Sequence, residues 1–173
     1  QIDMLQKLEL SKNDHEKLFN YCQSLDIIFM STPYNEEDVD FLDGLGVCAF
    51  KLASISCVEP SFLKYVAKKN KPVILSTGMA SLADVDAAVS AFKEVSNNGL
   101  ILLQCTTNYP SHPEDANLLA IKTMQESFKL LVGYSDHMQN NIGCIASVVM
   151  GACVIEKHFT LDKSLEGPDH SCS

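Results

Sequence analysis

The feature that most constrains this chain is a repeated pair: a short, nearly unbroken apolar run, then a stretch with helical periodicity. The apolar runs cover residues 27–30, 49–54, 72–75, 100–104, 131–134 and 154–157. Each leads into polar residues, at Thr32, Ser54, Thr77, Thr106, Asp136 and His158, spaced 22 to 30 residues apart. Near-continuous apolar strands with helices between them imply a parallel α/β sheet, here of six strands. Such a series suits an open doubly wound sheet or six of the eight units of a (β/α)8 barrel, and the pattern alone leaves both open. Polar residues at all six strand ends lean toward the barrel, where every C-terminal end faces one mouth. An open sheet would gather them at its switch point.

The helical stretches carry their own start and stop signals. Ser11 with Asp14 three residues on opens the first, followed by Leu18, Tyr21, Cys22 and Leu25. Asn35 caps a second that presents Val39, Leu42 and Leu45 and stops at Gly46. Further helices are expected over residues 60–69, with Pro60 near the first turn, 81–95, with Ser81 and Asp84 as the opening pair, 115–128 and 140–152.

Composition narrows the class. A chain of 173 residues, 46% hydrophobic and 20% charged, suits one buried globular core. A net charge of -9 without a basic run gives nucleic-acid binding no electrostatic support, although a local cationic pocket remains possible. No apolar run approaches a membrane span, so no membrane partner is expected. Seven cysteines, an odd number without a C-x-x-C, point to a reducing, cytoplasmic setting. The start at Gln1, entering directly into Ile2-Asp3-Met4-Leu5, and the stop at Ser173 after a polar loop read as cuts through a longer protein.

Two histidines stand out, in Gly133-Tyr134-Ser135-Asp136-His137 and in Val154-Ile155-Glu156-Lys157-His158. Parallel strands joined by one crossover helix would bring His137 and His158 to the same sheet edge, where they could share a metal ion or remain two ordinary hydrogen-bonded histidines. Lys51 lies inside an apolar strand, between Phe50 and Leu52, where an ammonium needs an anion, either a structural carboxylate or a bound phosphate or carboxylate. Ser54, Ser76, Thr77, Thr107 and Ser135 could ring that anion, though each singly is an ordinary turn or cap hydroxyl. Neither G-x-x-x-x-G-K-[ST] nor G-x-G-x-x-G occurs, which disfavours a nucleotide. A triad of Ser135, His137 and Asp136 is weak, because neighbours on a strand point to opposite faces. Cys172 as a thiol nucleophile finds no supporting context.

With these residues in view, the chain resembles the sialic acid synthase family, the phosphoenolpyruvate-dependent synthases of N-acetylneuraminate and related nonulosonates. The matching runs are Phe29-Met30-Ser31-Thr32-Pro33, Lys51-Leu52-Ala53-Ser54, Leu75-Ser76-Thr77-Gly78-Met79 and Gln104-Cys105-Thr106-Thr107-Asn108-Tyr109-Pro110. They continue with Pro113-Glu114-Asp115-Ala116-Asn117-Leu118, Gly133-Tyr134-Ser135-Asp136-His137, Ile155-Glu156-Lys157-His158-Phe159-Thr160 and Gly167-Pro168-Asp169-His170. The resemblance implies a (β/α)8 barrel of which this chain carries about six units. It implies that His137 and His158 bind manganese or magnesium. Lys51, Ser54, Ser76, Thr107 and Ser135 would hold phosphoenolpyruvate with Thr32 nearby, and Tyr109 and Asp169 would contact the acceptor amino sugar. His137, His158 and Lys51 would be the catalytic groups, with Asp136 and Glu156 orienting the histidines unless Glu156 forms a salt bridge instead.

The resemblance also implies a longer, homodimeric protein. Its first two strands, with a catalytic Glu, would precede Gln1, and an antifreeze-like domain would follow Ser173. Ser56 departs from the family pattern, which commonly has an acidic sugar-binding residue there. A catalytically silent sugar-phosphate or metal-binding module is one competing expectation. Another is a phosphoenolpyruvate-condensing barrel acting on an aldose phosphate, but no basic residues are placed for its second phosphate.

Overall fold

A computed structural model describes residues 8–167 and 169–173. The opening run Ile2-Asp3-Met4-Leu5 and Pro168 of the last motif lie outside the described residues. Among the described residues, six α-helices and five β-strands follow in the order α1 (Lys12–Ser24), α2 (Glu36–Leu45), β1 (Phe50–Leu52), α3 (Pro60–Ala67), β2 (Val73–Ser76), α4 (Leu82–Lys93), β3 (Leu100–Cys105), α5 (Leu119–Phe128), β4 (Leu131–Asp136), α6 (Ile142–Val149) and β5 (Ile155–Lys157). The sheet order is β1-β2-β3-β4-β5 and every pair is parallel. Strands added strictly in sequence order leave no switch point, so the doubly wound alternative falls away. The curled sheet is part of a barrel of alternating β and α units.

The helix signals hold physically. Ser81 Oγ accepts from the Asp84 amide while the Asp84 carboxylate accepts from the Ser81 amide, so two otherwise orphaned donors at the start of α4 are satisfied. Ser11 Oγ and Asn35 Oδ1 accept from the Asp14 and Asp38 amides and so cap α1 and α2, and Gly46 ends α2 with φ 93°, a left-handed conformation that suits glycine. The fifth helix begins later than residue 115, because Pro113–Asp115 forms a separate 3-10 turn.

Residues 27–30, expected as the first strand, join no ladder among the described residues. Phe29 packs against the core, whereas Ile27, Ile28 and Met30 remain exposed. The first backbone donor of the segment, Ile27 N, goes back to the Cys22 carbonyl at the end of α1. An apolar run signals a wish for burial; strand status needs a neighbouring strand to pair with its amides, and among the described residues none does so.

The strands separate two environments by simple alternation. Phe50, Leu52, Val73, Leu75, Leu100, Leu102, Val132 and Tyr134 face the helices and join the main apolar cluster with Val39, Phe62, Leu63, Val66, Val89, Phe92, Ile121 and Phe128. Lys51, Ser76 and Ser135 lie on the opposite face, where Lys51 meets Ser76 directly and Ser135 through the Glu156 carboxylate. Among the described residues, no helix is long and apolar enough to cross a membrane.

Candidate active site

Parallel registry brings the C-terminal ends of the strands to one edge. Leu52 pairs with Leu75, Ser76 with Leu103, Cys105 with Ser135, and Asp136 with Lys157. Lys51 supplies the cation. Its Nζ donates to Ser76 Oγ at 2.8 Å and to the Leu52 carbonyl at 2.9 Å, and lies 3.5 Å from Glu156 Oε2. Ser135 Oγ donates to Glu156 Oε1 at 2.6 Å. Glu156 therefore forms a salt bridge and does not orient a histidine; its carboxylate gathers donors from β1 and β4.

The expected role for Asp136 also fails, for the reason that alternation gives. Ser135 and His137 face the site, so Asp136 faces the helices. There it accepts from Lys157 Nζ at 2.8 Å, the Met138 amide at 3.2 Å, Cys144 Sγ at 3.2 Å and Tyr134 Oη at 3.3 Å. Burial pushes the Asp136 carboxyl up, but these donors outweigh it and hold the group below the usual carboxylate range. Burial pushes the Tyr134 hydroxyl up, with the Asp136 charge adding to it.

His137 is oriented instead by a backbone group. Its Nδ1 lies 2.6 Å from the Thr106 carbonyl, which can only accept, so Nδ1 carries the proton and Nε2 keeps its lone pair, facing Ser135 Oγ at 3.5 Å. Burial pushes the imidazole below the usual histidine range, against the Thr106 bond that favours the charged form. A neutral ring with its lone pair at Nε2 is the form that ligates a metal, so this residue fits a divalent ion. The His158 ring lies 5.5 Å away, centroid to centroid. Tyr109 stacks on His137 at 4.0 Å and meets His158 edge-on at 5.7 Å. Burial pushes the Tyr109 phenol up to about 12.

The remaining expected residues divide. Ser54 and Thr107 meet around Gly78. A Cβ on Gly78 would lie 2.7 Å from the Thr107 methyl, 2.9 Å from Ser54 Oγ and 3.0 Å from Cys105 Sγ, and the Gly78 amide donates to Ser54 Oγ. Asp169 lies beside His158, with Oδ2 3.9 Å from Nδ1. Thr77 does not join; its hydroxyl donates to the Leu103 carbonyl and faces Met124 in the helix layer. Thr32 lines a different cavity of about 450 Å³ with Ser11, His15, Ser31 and Tyr34.

Two contributors escape a sequence reading. The Thr106 carbonyl is a backbone atom and leaves no signature in residue types. Cys172 is fully buried, and its thiol joins His158 and Asp169 in a group whose ligand atoms all lie within 4.8 Å of one another, suited to a metal ion. The three-residue spacing from Asp169 to Cys172 was the available signal.

The NeuB family model matches residues 1–173. The N,N'-diacetyllegionaminic acid synthase of Campylobacter jejuni is 44% identical over all of this chain and 52% of its own length. That of Legionella pneumophila is 46% identical over all of this chain and 50% of its length. The crystal structure of an N-acetylneuraminic acid (sialic acid) synthetase from Leptospira borgpetersenii in complex with citrate superimposes with a TM-score of 0.95 at 34% identity, covering 99% of this chain and 60% of that one. The chain spans about half the length of these curated relatives.

Proposed function

This chain belongs to the NeuB family, and from that premise we propose that it is the site-bearing part of a phosphoenolpyruvate-dependent carbon–carbon bond-forming transferase. The reaction joins phosphoenolpyruvate to an N-acetylated amino sugar, N-acetylmannosamine or a diacetamido relative, and yields a sialic-acid-type nonulosonate and phosphate. The identities of 44% and 46% to two N,N'-diacetyllegionaminic acid synthases favour a diacetamido sugar. The observation that carries the reading is the convergence of Lys51 from β1 and Ser135 from β4 on one carboxylate, that of Glu156, with Ser76 of β2 accepting from the same Lys51 ammonium. A set of donors that holds a carboxylate in the free protein is suited to a substrate carboxylate or phosphate.

In this reading Lys51, Ser76 and Ser135, with Ser54 and Thr107 beside Gly78, hold phosphoenolpyruvate; nothing in the cluster supports Thr32. Tyr109 and Asp169 flank the acceptor sugar. His137 and His158 would hold the divalent ion, manganese or magnesium, which supplies Lewis-acid polarisation of the sugar's aldehyde oxygen. Fixing phosphoenolpyruvate with its C3 against the aldehyde carbon lowers the entropic part of the barrier. After that bond forms, water attacks C2 and phosphate leaves from a tetrahedral carbon. The Lys51 ammonium remains beside the departing charge throughout. The barrel is completed by strands outside these 173 residues, and the active form is a cytoplasmic homodimer.

The test is phosphate release from phosphoenolpyruvate by the full-length protein with manganese, against a panel of mono- and diacetylated amino sugars. Sugar-dependent release is expected, with a loss of at least about a hundredfold in His137→Ala and in His158→Ala. Release that survives both substitutions would overturn the metal assignment; no release with any sugar would overturn the synthase reading.

A further inference from the structure

We propose that His158, Asp169 and Cys172 form a second, thiolate-containing ligand set that takes a zinc-like divalent ion and competes with the His137–His158 pair for His158. The proposal shares two residues, His158 and Asp169, with the synthase reading and does not otherwise rest on it. Three kinds of donor, an imidazole nitrogen, a carboxylate oxygen and a sulfur, lie within 4.8 Å of one another. Bound to zinc at ordinary bond lengths, such atoms sit about 3.4–3.8 Å apart, so the group needs to contract by only about 1 Å. Asp169 and His158 have the exposure to make that adjustment, at 50% and 32% for their side chains, while the thiol is fixed.

The thiol is held in place by its own turn. Cys172 N and Sγ both donate to the Asp169 carbonyl, at 3.3 and 3.1 Å, and Ser173 Oγ donates to it at 3.0 Å; metal binding releases the Sγ proton to solvent and gives up that one bond, while the Cys172 amide and Ser173 hydroxyl keep the turn. His170 Nδ1 lies 2.6 Å from Thr160 Oγ1, which ties the turn His170–Cys172 to the loop after β5. The soft donor therefore forms a buried floor, and the two harder donors form a partly open rim. Three protein ligands with one open side is the arrangement of zinc sites that keep an exchangeable position. Sulfur decides the selectivity, because a thiolate favours zinc and cobalt over manganese and magnesium. A zinc ion seated here would withdraw His158 from His137, so zinc is expected to antagonise manganese.

Cobalt titration of the full-length protein tests this directly. A near-ultraviolet thiolate-to-cobalt charge-transfer band that saturates at one equivalent is expected. It should vanish in Cys172→Ala and His158→Ala and persist in His137→Ala and in Cys48→Ala, whose thiol is exposed. Cobalt binding without that band, or a band that survives Cys172→Ala, would overturn the proposal. The cadmium-113 resonance of the unmodified protein gives a reading independent of how the variants fold. A downfield shift from one sulfur ligand supports the site, and a shift typical of oxygen and nitrogen ligands alone overturns it. Manganese binding, followed by electron paramagnetic resonance, separates the two readings: its loss in His137→Ala but not in Cys172→Ala bears on the synthase assignment alone.

Discussion

At the scale of single residues, the site is governed by which face of a strand a side chain takes. His137 and Asp136 are adjacent in sequence yet serve different environments, one the site and the other the helix layer. The environment of His137 has a measurable consequence in metal-free buffer. In the unfolded chain the ring titrates near pH 6.5, but burial lowers its folded value. Below about pH 6.5 the unfolded chain therefore gains a proton that the folded protein resists. Stability falls as pH drops from there to the folded value and levels off beneath it. Asp136, whose carboxyl is held below the ordinary 3.8, acts only at lower pH. Thermal melts should show a drop in Tm between pH 7.5 and 5.5 that is smaller in His137→Gln. An equal drop in both proteins would remove His137 as its source.

At the scale of elements, the segments that follow β1, β2 and β3 come together tightly at Gly78. The Gly78 position leaves no room for a methyl between Thr107, Ser54 and Cys105. Gly78→Ala should cost about 1–3 kcal/mol by overpacking, read from urea unfolding, and should weaken phosphoenolpyruvate binding because Ser54 and Thr107 are the groups displaced. Full affinity and full stability in that variant would show that the strands can part without consequence. The elements themselves were largely legible in the sequence. The caps at Ser11, Asn35 and Ser81 are local hydrogen-bond chemistry, and five of the six expected strands form. Residues 27–30 were not separable from a strand, because their apolar character is the same whether or not a ladder partner is present.

At the scale of the whole molecule, the sheet among the described residues has open edges at β1 and β5, and α6 turns Ile142, Ile145, Val148 and Val149 to solvent. Among α6 residues, only Gly143 and Ser147 are buried. With Leu118, Leu119 and Met150 nearby, the helix lines an apolar cavity of about 480 Å³. Unpaired strand edges and a contiguous apolar face both favour association. The 173-residue chain alone should therefore self-associate at micromolar concentration in sedimentation velocity. Ile145→Lys with Val149→Lys should shift it toward monomer, and a monomeric unmodified chain would show that neither feature is sticky enough to matter.

The sequence by itself determined the alternation of strands and helices, their parallel sense, and the gathering of polar strand ends at one edge. These follow from periodicity and from the length of chain between strands, both of which are local. It also placed Lys51, Ser76, Ser135, His137 and His158 as candidates, because polar groups in apolar runs require partners. Only the tertiary structure decided who those partners are. Thr77 turns to Met124, Asp136 turns to Lys157, Glu156 spans Lys51 and Ser135, and the Cys172 thiol comes to lie with His158 and Asp169. Each of those meetings depends on strand register, on the fold of the closing turn, or on a backbone carbonyl, and none of these is written in the identity of the residues that meet.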